Sequence, residues 1–521
     1  MKPLFYIALI LCVSLFVLYP TFNLALLGDD WLAFHRYSQH LGPKSSGEFN
    51  HLTYFLTPYG AQDIMMGILQ KIYNYDSTKY YLTSYFLRII AAFSLYPLVT
   101  LLTNNRYSAI FAVLFFSITV AGFDTTNWSS NMTTYITIAA FNLFLFIFIK
   151  IRNEENFLKI LFADLIYYIA YITTPIRMHG SLIFIFLLEL FWVLQKRNLQ
   201  TVKRAFLRFL SILGVFLIIR FTGSSLGPPN EPVERLLLGI KTSSELLSQG
   251  RIDFLLYPIM MFGSMIIPDF MLPQEARNVI LSLIGGCILA TLVFLMFKLF
   301  KKYNISTALY LSLSWSILSF FFAWWWVPTT IFPTTYRYLV VSAVGVSILF
   351  ATIIALGKNK AQQRLLFTLL SFILILHIVS TRTYINYLIN SHGQNISNKI
   401  WSSIPRVPDI GRSKEATIFY FEGEPGTETI IHDVITFGFP PHMARLYHLR
   451  EEDGNFPIGT SEWQEVVTAI LNGEVQTMYG PAVPTNLERV YAFYLADRNN
   501  LIDITDKARE KLKQIKSQSN Q

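Results

Sequence analysis

Residues 4–30 read LFYIALILCVSLFVLYPTFNLALLGDD: an uncharged apolar run from Leu4 to Leu27, closed at once by Gly28 and the carboxylate pair Asp29-Asp30. A helix crosses the hydrocarbon core with about 20 apolar residues, so the run predicts a membrane span with two acids at its far mouth, opposite Lys2. Carboxylates neither snorkel far nor tolerate hydrocarbon, and their presence at that depth points to chemistry or ion binding. Asp29 and Asp30 are therefore the candidate catalytic centre. An Asp there also suits the N-cap of a helix starting at Trp31, a role one of the pair can fill while the other reacts.

The rest of the chain has the same character. Of 521 residues 53% are hydrophobic and 14% charged, and mean hydropathy is +0.42, which marks a polytopic α-helical membrane protein. From Thr383 onward there are 13 Lys+Arg against 17 Asp+Glu, and before it 29 against 16. The basic excess thus lies in the membrane part, in short loops rather than on a soluble face, which argues against nucleic acid as a partner. The two cysteines, Cys12 and Cys287, sit inside apolar runs and imply neither a disulfide framework nor a zinc site.

Apolar windows recur near 4–27, 82–103, 107–123, 130–149, 158–174, 179–195, 205–222, 277–299, 307–327, 338–357 and 365–381, about 11 spans. With a cytoplasmic N-terminus, every dense basic cluster falls on one side: Lys150/Arg152, Lys196 to Arg204, Lys298 to Lys302, and Lys358 to Arg364, as the positive-inside rule requires. Asp29-Asp30, Asp124, the Arg177 turn, the Arg337 loop and the tail then lie outside the cytoplasm. Residues 254–272 are apolar but broken by Pro258 and Pro268; they read as an interfacial or re-entrant piece after a Pro/Gly-rich external loop, Gly223 to Gly250. The first run is too long for a signal-peptide core and lacks a small-x-small cleavage site.

After Thr381 hydropathy drops. Strand patterns at Thr417 to Phe421 and Val490 to Leu495, with helical ones at Ser461 to Leu471 and Thr505 to Ile515, predict a small extracytoplasmic α+β domain. The expected division is 1–382, a membrane catalytic domain with external loop 28–81, and 383–521, a soluble domain read as a stabilising or docking lid.

The external loop also holds His35, Arg36 and His51, candidates for substrate or phosphate contact. Four arginines lie near the external ends of spans: Arg88, Arg177, Arg220 and Arg337. A guanidinium in the outer leaflet is costly without an anion, and its planar fork matches phosphate oxygens; snorkelling to lipid headgroups is the bland reading, above all for Arg88 and Arg220. Arg177 (with His179) and Arg337 (with Tyr336) sit in tight turns that restrict their orientation. Asp124 and Trp128, in another external turn, suit sugar hydroxyls and ring stacking, or merely end a hairpin. Asp164 and Glu189 lie within spans toward the cytoplasmic side, His377 reads as a packing residue, and Trp324-Trp325-Trp326 as an interfacial belt. Sequons at Asn127, Asn131, Asn304 and Asn395 decide nothing.

In order and sidedness, Gly28-Asp29-Asp30 after the first span, Asn127-Trp128-Ser129, Arg177-Met178-His179-Gly180 and Tyr336-Arg337-Tyr338 resemble the GT-C superfamily of integral-membrane glycosyltransferases, the group that includes protein O-mannosyltransferases and aminoarabinose transferases of lipid A. The resemblance implies a polyprenyl-phosphate-linked sugar donor, a glycan, lipid or protein acceptor, and a bacterial or archaeal plasma membrane. It also implies a base at Asp29 or Asp30 with Arg36, Arg177 and Arg337 on the phosphate. It allows a divalent metal, since members differ, and no redox cofactor. Two departures matter: Trp324-Trp325-Trp326 is followed by Val327 rather than completing the Trp-Trp-Asp of oligosaccharyltransferases, and the acidic pair lacks the Asp-Glu order of O-mannosyltransferases. A transporter or flippase of lipid-linked sugars would show midplane charges and internal symmetry, and a polysaccharide ligase or polymerase would concentrate His and Arg in one large late loop.

Overall fold

A computed structural model describes residues 2–42, 50–222, 232–325, 336–407, 409–410, 413–449, 456–477 and 481–519; the side chains of Arg220 and Tyr336, named above, fall outside the described residues. A helix stands at each of the eleven expected spans: Lys2–Leu18, Ser77–Thr103, Arg106–Ile118, Thr133–Lys150, Phe157–Thr173, Ser181–Lys196, Leu199–Thr222, Arg277–Lys298, Tyr303–Trp324, Leu339–Ala355 and Lys360–His392. Among the described residues seven helices are long and apolar enough to cross a membrane by length and composition, and the chain is an integral membrane protein. Arg106–Ile118 and Leu339–Ala355 are shorter. They pack against each other and bury nearly all their residues, the pattern of helices enclosed by others.

The piece at 254–272 is not a span. It forms a short helix Tyr257–Ser264, stopped before Pro268 and packed on Arg277–Lys298, because proline removes a helix hydrogen bond and clashes with the preceding turn. The expected loop 223–250 is corrected in part: Pro232–Ser248 is a helix. Pro232 takes its first position, where a missing N–H costs nothing.

The two intramembrane acids are paired across spans. Glu189 takes both forks of Arg208, at 2.6 and 2.7 Å, and Asp164 accepts from Ser211.

Beyond His392 the chain builds a four-stranded sheet in the order β2-β1-β5-β6: β1 Ile418–Gly423, β2 Ile458–Thr460, β5 Val490–Asp497 and β6 Asn500–Asp503. Strands β3 Glu474–Gln476 and β4 Ala482–Pro484 pair separately. β1 runs parallel to both neighbours, with Ile418 opposite Ile458 and Val490. Successive side chains of a strand point to opposite faces, so β1 feeds two cores. Ile418 and Tyr420 meet Val466, Ile470 and Leu512 of the outer helices, while Phe419 and Phe421 meet Phe439 and Ile435 on the face turned to the membrane part.

Candidate active site

Gly28–Leu41 is an amphipathic helix that begins one residue after the first apolar run. It carries the acidic pair, and the two acids have different environments. Asp30 is fully buried: its Oδ2 accepts the backbone N–H of Leu27 at 2.9 Å and its Oδ1 that of Ser130 at 2.6 Å. It therefore ties the start of its helix to the Trp128–Met132 turn. Burial pushes its carboxyl up to about 6 against those hydrogen bonds.

Asp29 is half-buried and faces a cavity of about 260 Å3. Three guanidiniums, Arg177, Arg235 and Arg337, share the lining with it, and Gln62 and Asn131 add amides. Burial raises the Asp29 carboxyl above its ordinary range, and the charges of Arg337, then Arg36 and Arg177, oppose the rise. A carboxyl so placed is poised to take a proton at higher pH than a free aspartate.

The basic wall is held by aromatic rings. Tyr338 lies under Arg177 at 4.6 Å and under Arg337 at 5.2 Å, and Trp128 under Arg337 at 5.3 Å. Rings hold a guanidinium by its face and leave its N–H edge directed elsewhere. Arg177 Nη1 and Asn131 Nδ2 are buried donors that meet no acceptor among the described residues. A buried donor without an acceptor costs on the order of 1–3 kcal/mol, so these two keep hydrogen-bonding capacity unspent beside the cavity.

The other expected site residues are dispersed. Arg36 is bidentate on Asp63 at 2.7 and 2.8 Å, with Tyr54 also donating to that carboxylate; its fork is already filled, and it acts on Asp29 only by charge. Arg88 is buried and donates to Thr126 Oγ1 and to the carbonyls of Phe116 and Thr119, so it braces the turn after Ile118 rather than reaching phosphate. Asp124 accepts from Tyr384 at 2.6 Å and is pushed up to about 6 by burial. His51 lies 3.5 Å from the Tyr37 hydroxyl, and neither it nor His179 lines the cavity. His35 faces a different cavity of about 610 Å3, between its helix and the C-terminal domain, with Arg406 and Arg445; burial pushes its imidazole down to about 4.

Gln62, Asn131, Arg235 and Phe437 are among the lining residues that the sequence did not single out for the site. Arg235 was legible: Pro232 followed by acidic Glu234 and the apolar residues Leu236, Leu237 and Ile240 before the polar Lys241 to Glu245 is a helix start of an amphipathic kind. Phe437 comes from the C-terminal domain, and nothing local announces it.

Among the described residues no group of three or more His, Cys, Asp or Glu side chains could hold a metal ion. The carboxylate chemistry agrees: Asp30 is spent on backbone donors, Asp63 on Arg36, and Asp29 faces guanidiniums.

No protein-family model matches the chain, and no curated protein matches it. Among solved structures it is similar to the archaeal oligosaccharyltransferase AglB from Archaeoglobus fulgidus in complex with an inhibitory peptide and a dolichol-phosphate, at 13% identity and TM-score 0.46, covering 88% of this chain and 65% of that one. An Archaeoglobus fulgidus oligosaccharyltransferase in complex with Zn and sulfate gives 12% identity and TM-score 0.44, covering 88% and 62%. ArnT from Cupriavidus metallidurans in the apo state gives 12% and 0.32, covering 95% and 93%. This chain spans less than two thirds of the oligosaccharyltransferases' length. Likenesses of this degree assign no residue role here; those rest on the cavity.

Proposed function

We propose that the protein is a glycosyltransferase that moves a sugar from a polyprenyl-phosphate-type donor to an acceptor hydroxyl at the extracytoplasmic membrane surface. The observation that carries the reading is the cavity in which one carboxylate of raised pKa faces three guanidiniums, two of its buried donors lacking acceptors. In a single inverting displacement the acceptor oxygen bonds to the anomeric carbon and its proton passes to Asp29. The bond from that carbon to the phosphate oxygen breaks, and its electron pair leaves with the lipid phosphate, held by Arg177, Arg337 and Arg235. Charge growing on the leaving group thus meets cations already in place, which lowers the barrier without reorganisation. Asp30 positions Asp29 through the backbone, and Asp124 and Trp128 support the Arg337 turn. The acceptor is a glycan, a lipid or a protein. A site outside the cytoplasm calls for a lipid-borne donor in place of nucleotide sugars, which supports this choice of substrate.

The test is transfer of radiolabelled sugar from polyprenyl-phosphate donors to membrane acceptors by equally expressed wild type, Asp29→Asn and Asp30→Asn. Loss of roughly 10²–10⁴ in rate is expected for Asp29→Asn. Undiminished transfer by that variant removes Asp29 as base, and no transfer by wild type leaves a transporter of lipid-linked sugars as the better account.

A further inference from the structure

Phe437 is the one lining residue of the transfer cavity among the described residues that the C-terminal domain supplies. Its setting differs from that of its aromatic neighbours. Phe419, Phe421 and Phe439 are buried in the inner core, whereas Phe437 keeps 40% of its surface exposed. A phenyl ring beside a charged cavity is costly in water, and the fold holds it there by three separate means.

The first is Gly28. The Phe437 ring lies over its Cα so closely that an added Cβ would come within 1.9 Å of ring carbon Cδ1; the absent side chain admits the ring directly beside Asp29. The second is the backbone. Ile431–Thr436 is a π-helical turn, closed by the Phe437 N–H on the His432 carbonyl at 2.9 Å, a rare geometry that recurs at functional sites. The third is a brace to the membrane part: Asp433, in that turn, accepts from His392 Nε2 at 2.8 Å, at the end of the last membrane helix. Behind Phe437 stands Trp128, ring centroids 5.5 Å apart, and Trp128 in turn backs the Arg337 guanidinium. Trp128 thus links Arg337 to Phe437, its ring tilted 53° to that of Phe437, and His432 stacks on Phe437 at 5.9 Å.

We propose that Phe437 is a sugar-stacking residue of the transfer site, its ring taking the apolar C–H face of a pyranose or pentose while Trp128 positions both it and Arg337. The proposal rests on the glycosyltransferase reading and assigns the C-terminal domain a share in choosing the sugar, beyond a lid. The same ring chemistry comes from two sources, the donor's sugar or the acceptor's.

The experiment uses full-length protein in detergent and measures equilibrium binding of three probes: polyprenyl phosphate alone; polyprenyl phosphate carrying glucose, mannose, galactose or arabinose; and the matching methyl glycosides. Phe437→Leu keeps an apolar contact on Gly28 and removes the ring; Phe437→Tyr restores a ring. Stacking of this kind is worth roughly three- to tenfold in affinity. Loss of that factor for sugar-bearing donors in the Leu variant, with polyprenyl phosphate binding unchanged and the Tyr variant restored, assigns the ring to the donor. The same loss confined to methyl glycosides assigns it to the acceptor. Unchanged affinities for both sugar probes in the Leu variant, with polyprenyl phosphate still bound, overturn the stacking role and leave the transferase reading standing. No binding of polyprenyl phosphate by wild type overturns both.

Discussion

Two clusters of buried charge stand in the membrane part, and they are built on opposite plans. Away from the acidic pair, Glu189 and Arg208 are 4% and 2% exposed, and each satisfies the other. Within that pair Asp29 faces Arg177, Arg235 and Arg337 across open space, with donors left over. A closed pair fixes neighbouring helices; an open one stores binding capacity for something that arrives. Burial of a charge alone therefore says little about function, and the state of its remaining hydrogen bonds says much.

The contrast breaks first if Asp29→Asn leaves transfer intact, since the open cluster is expected to lose up to about 10⁴ in rate with folding unchanged. The closed cluster should respond in the other currency. Glu189→Ala leaves Arg208 buried without its partner and should cost about 3–5 kcal/mol of stability, read as a lowered melting temperature in detergent. The doubly apolar Glu189→Met/Arg208→Met variant should recover most of it, and both variants should transfer sugar normally at permissive temperature. Returning to the open cluster, Arg337→Gln or Arg177→Gln should lower kcat about 10²–10³-fold with little change in melting temperature, because each removes a cation whose partner is the ligand.

Smaller effects sharpen the division between the two aspartates. Asn at position 30 offers one oxygen where Asp30 serves two backbone donors, so Asp30→Asn should cost about 1–3 kcal/mol of stability and reduce transfer less than Asp29→Asn. A pH profile gives the finest test. Asp29 must be ionised to act as base, and its pKa is raised by burial; transfer should fall as pH drops through that raised value. Arg337 is the chief opposing charge. Its replacement should therefore move the acid limb to still higher pH, and a shift to lower pH would contradict the base assignment.

Much of this architecture is legible in the chain. Hydropathy windows locate a helix at each of the eleven expected spans, seven of them long and apolar enough to cross a membrane among the described residues, because a bilayer demands apolar length. Alternation and helical spacing after Thr381 locate β1, β5 and the helices Trp463–Asn472 and Thr505–Ser519, because a two-sided sheet and its covering helices each impose their own period. The site is only partly legible. Arg177 and Arg337 reach the cavity as their tight turns suggest, but Arg36 and Arg88 do not: Asp63 takes the fork of Arg36, and Thr126 with the carbonyls of Phe116 and Thr119 takes the two terminal nitrogens of Arg88. Residue type and depth announce that a guanidinium needs an acceptor; they do not say which acceptor is nearer.

What the sequence alone determined, then, is a membrane bundle with an acidic pair at one mouth and a small α+β domain behind it, since both follow from local patterns of polarity. The tertiary structure alone decided that Asp30 is spent on Leu27 and Ser130, that Asp29 is left facing three arginines from distant parts of the chain, and that Phe437 closes over Gly28. Those outcomes depend on which groups meet across hundreds of residues, and a hydrogen bond or a ring contact is settled at distances of a few ångströms that no local pattern encodes.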